Sequence, residues 1–213
     1  MALDGESRIP QATAKRLPLY YRYLERMQAA GRQRVSSAQI SEALQLDPAT
    51  VRRDLACLGG LGKKGYGYQV NFLLSFLRDF LRQDQVTHVV LIGVGNLGTA
   101  LLQYNFQRSR NMRLVSAFDN DPAKIGTSIH DIPVLPLEAL NSAVSERQVE
   151  VAILTVPAAA AQEIADMAVD AGVRGILNFA PVHIAAPDSV RVHNIDLTVE
   201  LQTLIYFLKV GGE

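Results

Sequence analysis

The stretch Gly93-Val94-Gly95-Asn96-Leu97-Gly98 has the GxGxxG spacing. Such a run says little alone. Here a near-continuous apolar run over 87–92 precedes it and a helical pattern over 99–106 follows, the strand-turn-helix setting that nucleotide binding requires. In that setting Gly93 permits a tight turn, Gly95 lets a pyrophosphate approach the backbone, and Gly98 lets the helix pack on the strand. The free N–H groups of the helix start then face the phosphates. Asp119 ends the next apolar run, over 113–118, 21 residues beyond Gly98. A carboxylate at that point hydrogen-bonds ribose hydroxyls and repels a 2′-phosphate, so NADH/NAD is expected over the 2′-phosphorylated cofactor. Asp121 is the competing acid.

Two further strand ends join this set. Residues 149–154 read as a strand ending in Thr155-Val156-Pro157, and 175–177 as one ending in Asn178-Phe179-Ala180-Pro181. Ligands of open α/β sheets lie beyond the carboxyl ends of the strands, which places both segments at the cofactor. For Thr155-Val156-Pro157 plain turn chemistry is the alternative.

A different chemistry is written between residues 48 and 68. In a helix over 48–58, Val51, Leu55 and Leu58 face a core, while Ala49, Arg52, Arg53 and Ala56 share the opposite side. Two guanidiniums among small residues make a face slim enough for a major groove, where arginine pairs with guanine or clamps a phosphate. A solvated helix face is the bland alternative. The next stretch, Gly62-Lys63-Lys64-Gly65-Tyr66-Gly67-Tyr68, sets two lysines in a glycine-rich hairpin. A basic hairpin directly after such a helix is the wing of a winged helix, placed to touch phosphates or the minor groove. Arg16, Ala49, Thr50, Arg52, Arg53, Lys63, Lys64, Gly65 and Tyr66 are the residues expected at double-stranded DNA.

The elements that must hold these residues follow from periodicity and punctuation. Residues 15–30 show the stripe Leu17, Tyr20, Tyr21, Leu24 and Met27, ended by Gly31. Ser36 or Ser37 caps a short helix to Leu44 that buries Ile40, Ala43 and Leu44. Asp47 caps the third helix, with Pro48 at its first position. An amphipathic helix over 71–83 leads out of this domain. Helices are expected over 158–171 and 197–210, the latter with Leu201, Leu204, Ile205 and Leu208 on one face. With nothing following it to pack against, that helix is a candidate dimer contact.

The fold class is therefore α/β: a winged helix-turn-helix domain over 1–84, then a doubly wound parallel-sheet (Rossmann) domain over 85–196. Residues 197–213 form a C-terminal helix, expected to be swapped in a dimer. The formal net charge of zero hides a split, since residues 1–84 carry 13 Lys+Arg against 8 Asp+Glu and residues 85–213 carry 8 against 13. A polyanion partner for the first half alone fits that asymmetry. The single cysteine, Cys57, excludes a disulfide scaffold, and it is read as a small buried core residue, with a thiol sensor as the alternative. The polar N-terminus and the lack of a long apolar run point to a cytoplasmic protein without a membrane partner.

A dehydrogenase needs an acid–base group near the nicotinamide and a substrate pocket. Of the four histidines, His88 falls at a strand start, His130 and His193 in connecting segments, and only His183 near the expected site. No metal-ligand spacing is present. The reading is a sensor rather than an enzyme, with no catalytic residue and no metal. The alternatives are a small NAD-dependent oxidoreductase with a fused nucleic-acid-binding module, and a regulator binding another nucleotide such as coenzyme A.

The combination resembles the Rex family of bacterial redox-sensing repressors over nearly the full length. The residues that carry the resemblance are Val51-Arg52-Arg53-Asp54-Leu55, the wing, Gly93 to Gly98, Phe118-Asp119, Leu154-Thr155-Val156-Pro157, and Ile176-Leu177-Asn178-Phe179-Ala180-Pro181-Val182. The resemblance implies a homodimer with exchanged C-terminal helices, a palindromic operator, and release from it when NADH binds. It implies further that Asp196 exchanges partners between Tyr104 and Arg22 as the domains rotate. Two positions depart from the family pattern. Ala56-Cys57-Leu58-Gly59 stands where Ser-Tyr-Phe-Gly is usual, and Leu197 stands in place of an aromatic beside the nicotinamide.

Overall fold

The structure, a computed structural model, describes residues 9–59, 62, 66–104 and 111–210. The chain divides into two compact units, residues 1–84 and 85–213.

The first unit comprises α1 (Gln11–Ala29), β1 (Arg34–Val35), α2 (Ser37–Leu44), α3 (Pro48–Ala56), β2 (Tyr68–Gln69) and α4 (Val70–Phe80). β1 and β2 form a small antiparallel ladder, with Arg34 opposite Gln69 and Val35 opposite Tyr68. Helix boundaries follow local chemistry. Ser36 and Gln39 form a reciprocal capping box at the start of α2. Gln45, in the left-handed conformation, ends that helix. Asp47 accepts from the Ala49 and Thr50 N–H groups, and Pro48 opens α3. The core joins Leu17, Tyr20, Tyr23 and Leu24 of α1 to Ile40, Val51, Leu55, Leu58, Val70, Leu73 and Leu77.

Three local expectations change. α1 starts four residues earlier than the apolar stripe suggests and runs through Pro18. Ala43 is exposed, and Ser41 is buried in its stead, its hydroxyl donating to the Leu46 carbonyl. Cys57 is exposed at the C-cap of α3, which ends at Ala56, and Leu58 in the turn beyond it is the residue buried in the core.

The second unit comprises β3 (Thr87–Ile92), α5 (Asn96–Gln103), β4 (Met112–Asp119), β5 (Ser128–Ile129), β6 (Ile132–Pro136), α6 (Leu140–Glu146), β7 (Val149–Leu154), α7 (Ala161–Asp170), β8 (Gly175–Asn178), β9 (Arg191–Asn194) and α8 (Leu197–Val210). One sheet has the order β5-β6-β4-β3-β7-β8-β9. Its pairings are parallel except the β5–β6 hairpin, which turns through His130 and Asp131, both at positive φ. Successive residues of β3 feed opposite faces: Val90 and Ile92 join the core under α6 and α7, Val89 and Leu91 the core on the α5 side. Strand order runs one way from β3 through β4 and β6 and the other through β7, β8 and β9. That reversal opens a crevice at the carboxyl ends of β3 and β7. Among the described residues no helix is long and apolar enough to cross a membrane.

Candidate functional site

The β3–α5 turn stands at the reversal of strand order. Gly93 has φ +98°, and a Cβ there would lie 2.7 Å from the Thr155 carbonyl oxygen. A Cβ on Gly98 would lie 2.0 Å from the Gly93 carbonyl oxygen, far inside contact distance. At Gly95 the situation is the reverse, with no described chain atom within 4 Å of the corresponding position. Gly93 and Gly98 are therefore glycines for the fold, while Gly95 leaves open space in front of the backbone. Asn96 and Leu97 open α5 and are exposed, and the helix start has no side-chain cap. Its first N–H groups, pointing into that space, suit an anion.

Asp119 closes the crevice from β4. Its carboxylate accepts from the Val94 N–H at 2.7 Å and the Asp121 N–H at 2.9 Å, and Lys124 Nζ lies 3.3 Å away. Burial alone would push this carboxyl upward. The two backbone N–H groups and the lysine outweigh burial and hold it below its ordinary value. Asp119 is thus an ionised staple on the glycine turn at neutral pH. Asp121 is half-exposed, its own Oδ1 turned to the Ala123 N–H.

Thr155, at the end of β7, resolves into more than a turn residue. Its hydroxyl donates to the Gly93 carbonyl at 2.6 Å and its N–H to the Ile92 carbonyl at 2.9 Å, tying β7 to the glycine turn. Val156 packs beside Gly93, and Pro157 is exposed. Asn178 is fully buried: its amide donates to the carbonyls of Ala180 and Val182 and to Asn194, and its Oδ1 accepts from the Ala180 N–H. It fixes the Phe179-Ala180-Pro181 loop, in which Phe179 is half-buried, Ala180 buried and Pro181 exposed. The histidines are spread out: His88 Nδ1 contacts the Arg147 carbonyl, and His183 sits by Asn194. Among the described residues no group of three or more His, Cys, Asp or Glu forms a metal site.

In the first unit, Ala49, Arg52, Arg53 and Ala56 are exposed along one side of α3, and Thr50 is half-exposed. Lys63, Lys64 and Gly65 lie outside the described residues. Tyr66, at the base of the expected wing, is exposed, and Arg34 binds it twice. The Arg34 guanidinium donates to the Tyr66 carbonyl at 3.0 Å and lies 5.8 Å from the ring centroid. Arg34 escaped the sequence reading because its partner is 32 residues away and no local spacing links them.

Arg16, grouped above with the DNA-facing residues, pairs with Asp54 of α3 through Nε at 2.6 Å and an η nitrogen at 2.8 Å. Thr13 and Tyr20 donate to the same carboxylate at 2.8 and 2.6 Å. Burial alone would raise Asp54, but the hydrogen bonds from Arg16, Tyr20 and Thr13 hold it below its ordinary value. Of the expected switch residues, Arg22 is exposed on α1, Tyr104 is exposed after α5, and Asp196 caps α8 by accepting from the Thr198 and Val199 N–H groups.

A helix-turn-helix with two outward arginines, joined to a Rossmann unit whose glycine turn is pinned by an acid, defines a nucleotide-responsive DNA-binding regulator. Family models agree unit by unit: "Putative DNA-binding protein N-terminus" matches residues 8–56 and "CoA binding domain" residues 84–182. The redox-sensing transcriptional repressor Rex of Halalkalibacterium halodurans is 60% identical over 95% of this chain and 96% of its own length. A crystal structure of RSP with β-NAD⁺ and operator DNA superposes with a TM-score of 0.87 at 34% identity, covering 97% of this chain and 99% of that one. RSP with β-NADH gives 0.83 at 32% identity, covering 96% of each. The chain belongs to the Rex family of redox-sensing transcriptional repressors.

Proposed function

We propose that this chain represses transcription from a palindromic operator and lets go of it when NADH occupies the Rossmann unit. One observation carries the reading. A single protein crystallised with both NAD⁺ and operator DNA matches 97% of the chain, so the two units are matched together rather than by separate proteins. The open space before Gly95 and the uncapped start of α5 fit a pyrophosphate, with Val94, Asn96, Leu97 and Gly98 around it. Asp119 fixes the turn and sets negative charge where a 2′-phosphate would come. Thr155, Val156 and Pro157, with Phe179, Ala180 and Pro181, line the strand ends beyond it, and Asn178 holds the second loop from beneath.

On the DNA side Ala49, Thr50, Arg52 and Arg53 read or clamp the duplex from α3. Arg16 joins them from α1, and Lys63, Lys64, Gly65 and Tyr66 form the wing. Two copies joined through α8 match the two half-sites of a palindrome, as for other helix-turn-helix dimers. Arg22, Tyr104 and Asp196 are the switch, and the protein works in the cytoplasm. The nicotinamide contributes its oxidation state, cationic in NAD⁺ and neutral in NADH. NADH must bind the released form more tightly than the bound one, since equal affinity shifts nothing.

The test is fluorescence anisotropy on a labelled palindromic operator, titrated separately with NADH, NAD⁺ and coenzyme A. Release by NADH at concentrations where NAD⁺ leaves the complex intact is the expected result. Release by coenzyme A alone would reassign the ligand, as the name of the matching family model would have it. Steady turnover of NADH with a keto acid, without operator binding, would favour an oxidoreductase.

A further inference from the structure

Asp54 takes four side-chain hydrogen bonds from described residues of the first unit, and nothing in the repressor reading so far uses it. It lies on α3 with its side chain 2% exposed, between the outward Arg53 and the core residue Leu55. Its carboxylate takes four hydrogen bonds, all from α1: Thr13 and an Arg16 η nitrogen to Oδ1, Arg16 Nε and Tyr20 to Oδ2. Residues 13, 16 and 20 share one face of that helix, so one side chain of α3 grips a whole stripe of α1.

Such a cluster is a poor device for stability alone. Taking charges out of water costs several kcal/mol, and apolar residues of similar volume often serve as well. What a saturated carboxylate adds is direction. Arg16 is held by one edge, through Nε and one η nitrogen, and its side chain remains 24% exposed. The opposite edge of the planar guanidinium takes no part in the bonds to Asp54, and the side chain has little rotamer freedom left to lose on binding. It stands on the helix that Asp54 ties to α3, and in helix-turn-helix proteins the elements flanking the recognition helix meet the DNA backbone.

We infer that Asp54 is a positioning residue for operator binding: it holds Arg16 so that the free guanidinium edge takes a DNA phosphate beside the recognition helix. Thr13 and Tyr20 complete the socket by occupying the lone pairs that Arg16 leaves on the carboxylate. The proposal rests on the repressor reading above.

Its test is the salt dependence of operator affinity for the full chain and for Arg16→Met, Asp54→Asn and the double variant. NADH binding and thermal unfolding are followed alongside. Each phosphate contact contributes about 0.9 to the slope of log K against log salt, hence roughly 1.8 for the two copies on a palindrome. Arg16→Met is expected to weaken operator binding at least about tenfold at low salt and to flatten the slope by that amount. Asp54→Asn should do nearly the same, the double variant should be no worse than either single one, and NADH affinity should not change. A merely structural clamp leaves the slope intact, so weaker binding by Asp54→Asn at an unchanged slope overturns the proposal. If Asp54→Asn fails to fold, Arg16→Met decides, because a folded variant with the full slope overturns it equally. A wild-type chain that binds no operator at any salt removes the repressor reading itself, a result distinct from any of these.

Discussion

At the residue scale, the glycines of the nucleotide turn divide into two kinds that the sequence cannot separate. The GxGxxG spacing treats Gly93, Gly95 and Gly98 alike. The structure shows that an added Cβ at Gly98 collides with the Gly93 carbonyl, whereas at Gly95 it meets no described atom of the chain. Gly98→Ala must therefore shift α5 away from β3, and a loss of about 1–3 kcal/mol from strained packing is expected in thermal or denaturant unfolding. Gly95→Ala should keep wild-type stability and lose NADH affinity by tenfold or more, read by fluorescence titration. Equal damage to stability from both substitutions would show that Gly95 serves the fold and not a ligand. Asp119 was legible as the acid after the second strand. Its bond to the Val94 N–H was not, because that contact spans 25 residues and depends on how β3 and β4 align.

At the element scale, what periodicity and capping can express was readable in advance. The capped α2 and α3, the apolar β3 and β7, and α8 fall where their patterns place them. The short β5 and β6, the edge strand β9 and the short α6 escaped that reading. Two to seven residues are too few to show a period, and β9, with its mostly exposed residues, lacks the apolar run of a buried strand. α8 poses the sharper question. Leu197, Val199, Leu201, Leu204, Ile205, Tyr206, Phe207 and Leu208 are all exposed in the single chain. A helix of 14 residues is marginal in water without a surface to cover it. Burying each large side chain would contribute about 1.5–3 kcal/mol, ample to hold two copies together. Leu204→Glu with Leu208→Glu is accordingly expected to convert a dimer into a monomer in analytical ultracentrifugation. Operator affinity should fall with it, since each copy then meets a half-site alone. A dimer that survives both charges would place the self-association elsewhere.

At the scale of the whole molecule, the two units were separable in the sequence by charge and motif, but a switch is a property of neither. It requires two states of the protein that differ in affinity for both ligands. Moving a population from 1:99 to 99:1 requires roughly 5.5 kcal/mol of differential binding, or about 2.8 per NADH site in the proposed dimer. The uncharged dihydronicotinamide tolerates a dry surrounding that the cation of NAD⁺ does not, which gives the difference its sign. Such coupling is reciprocal by thermodynamic necessity. The factor by which saturating NADH weakens the operator complex must equal the factor by which saturating operator weakens NADH binding, counted over all NADH sites of the proposed dimer. Both factors are measurable: the first by operator titration with and without NADH, the second by NADH titration with and without operator. Agreement is expected within error. An NADH affinity indifferent to operator, beside an operator affinity that NADH lowers, would mean that release is not an equilibrium between two forms of one dimer. It would then have to come from a change outside that cycle, such as NADH driving the repressor into an aggregate that no longer meets DNA.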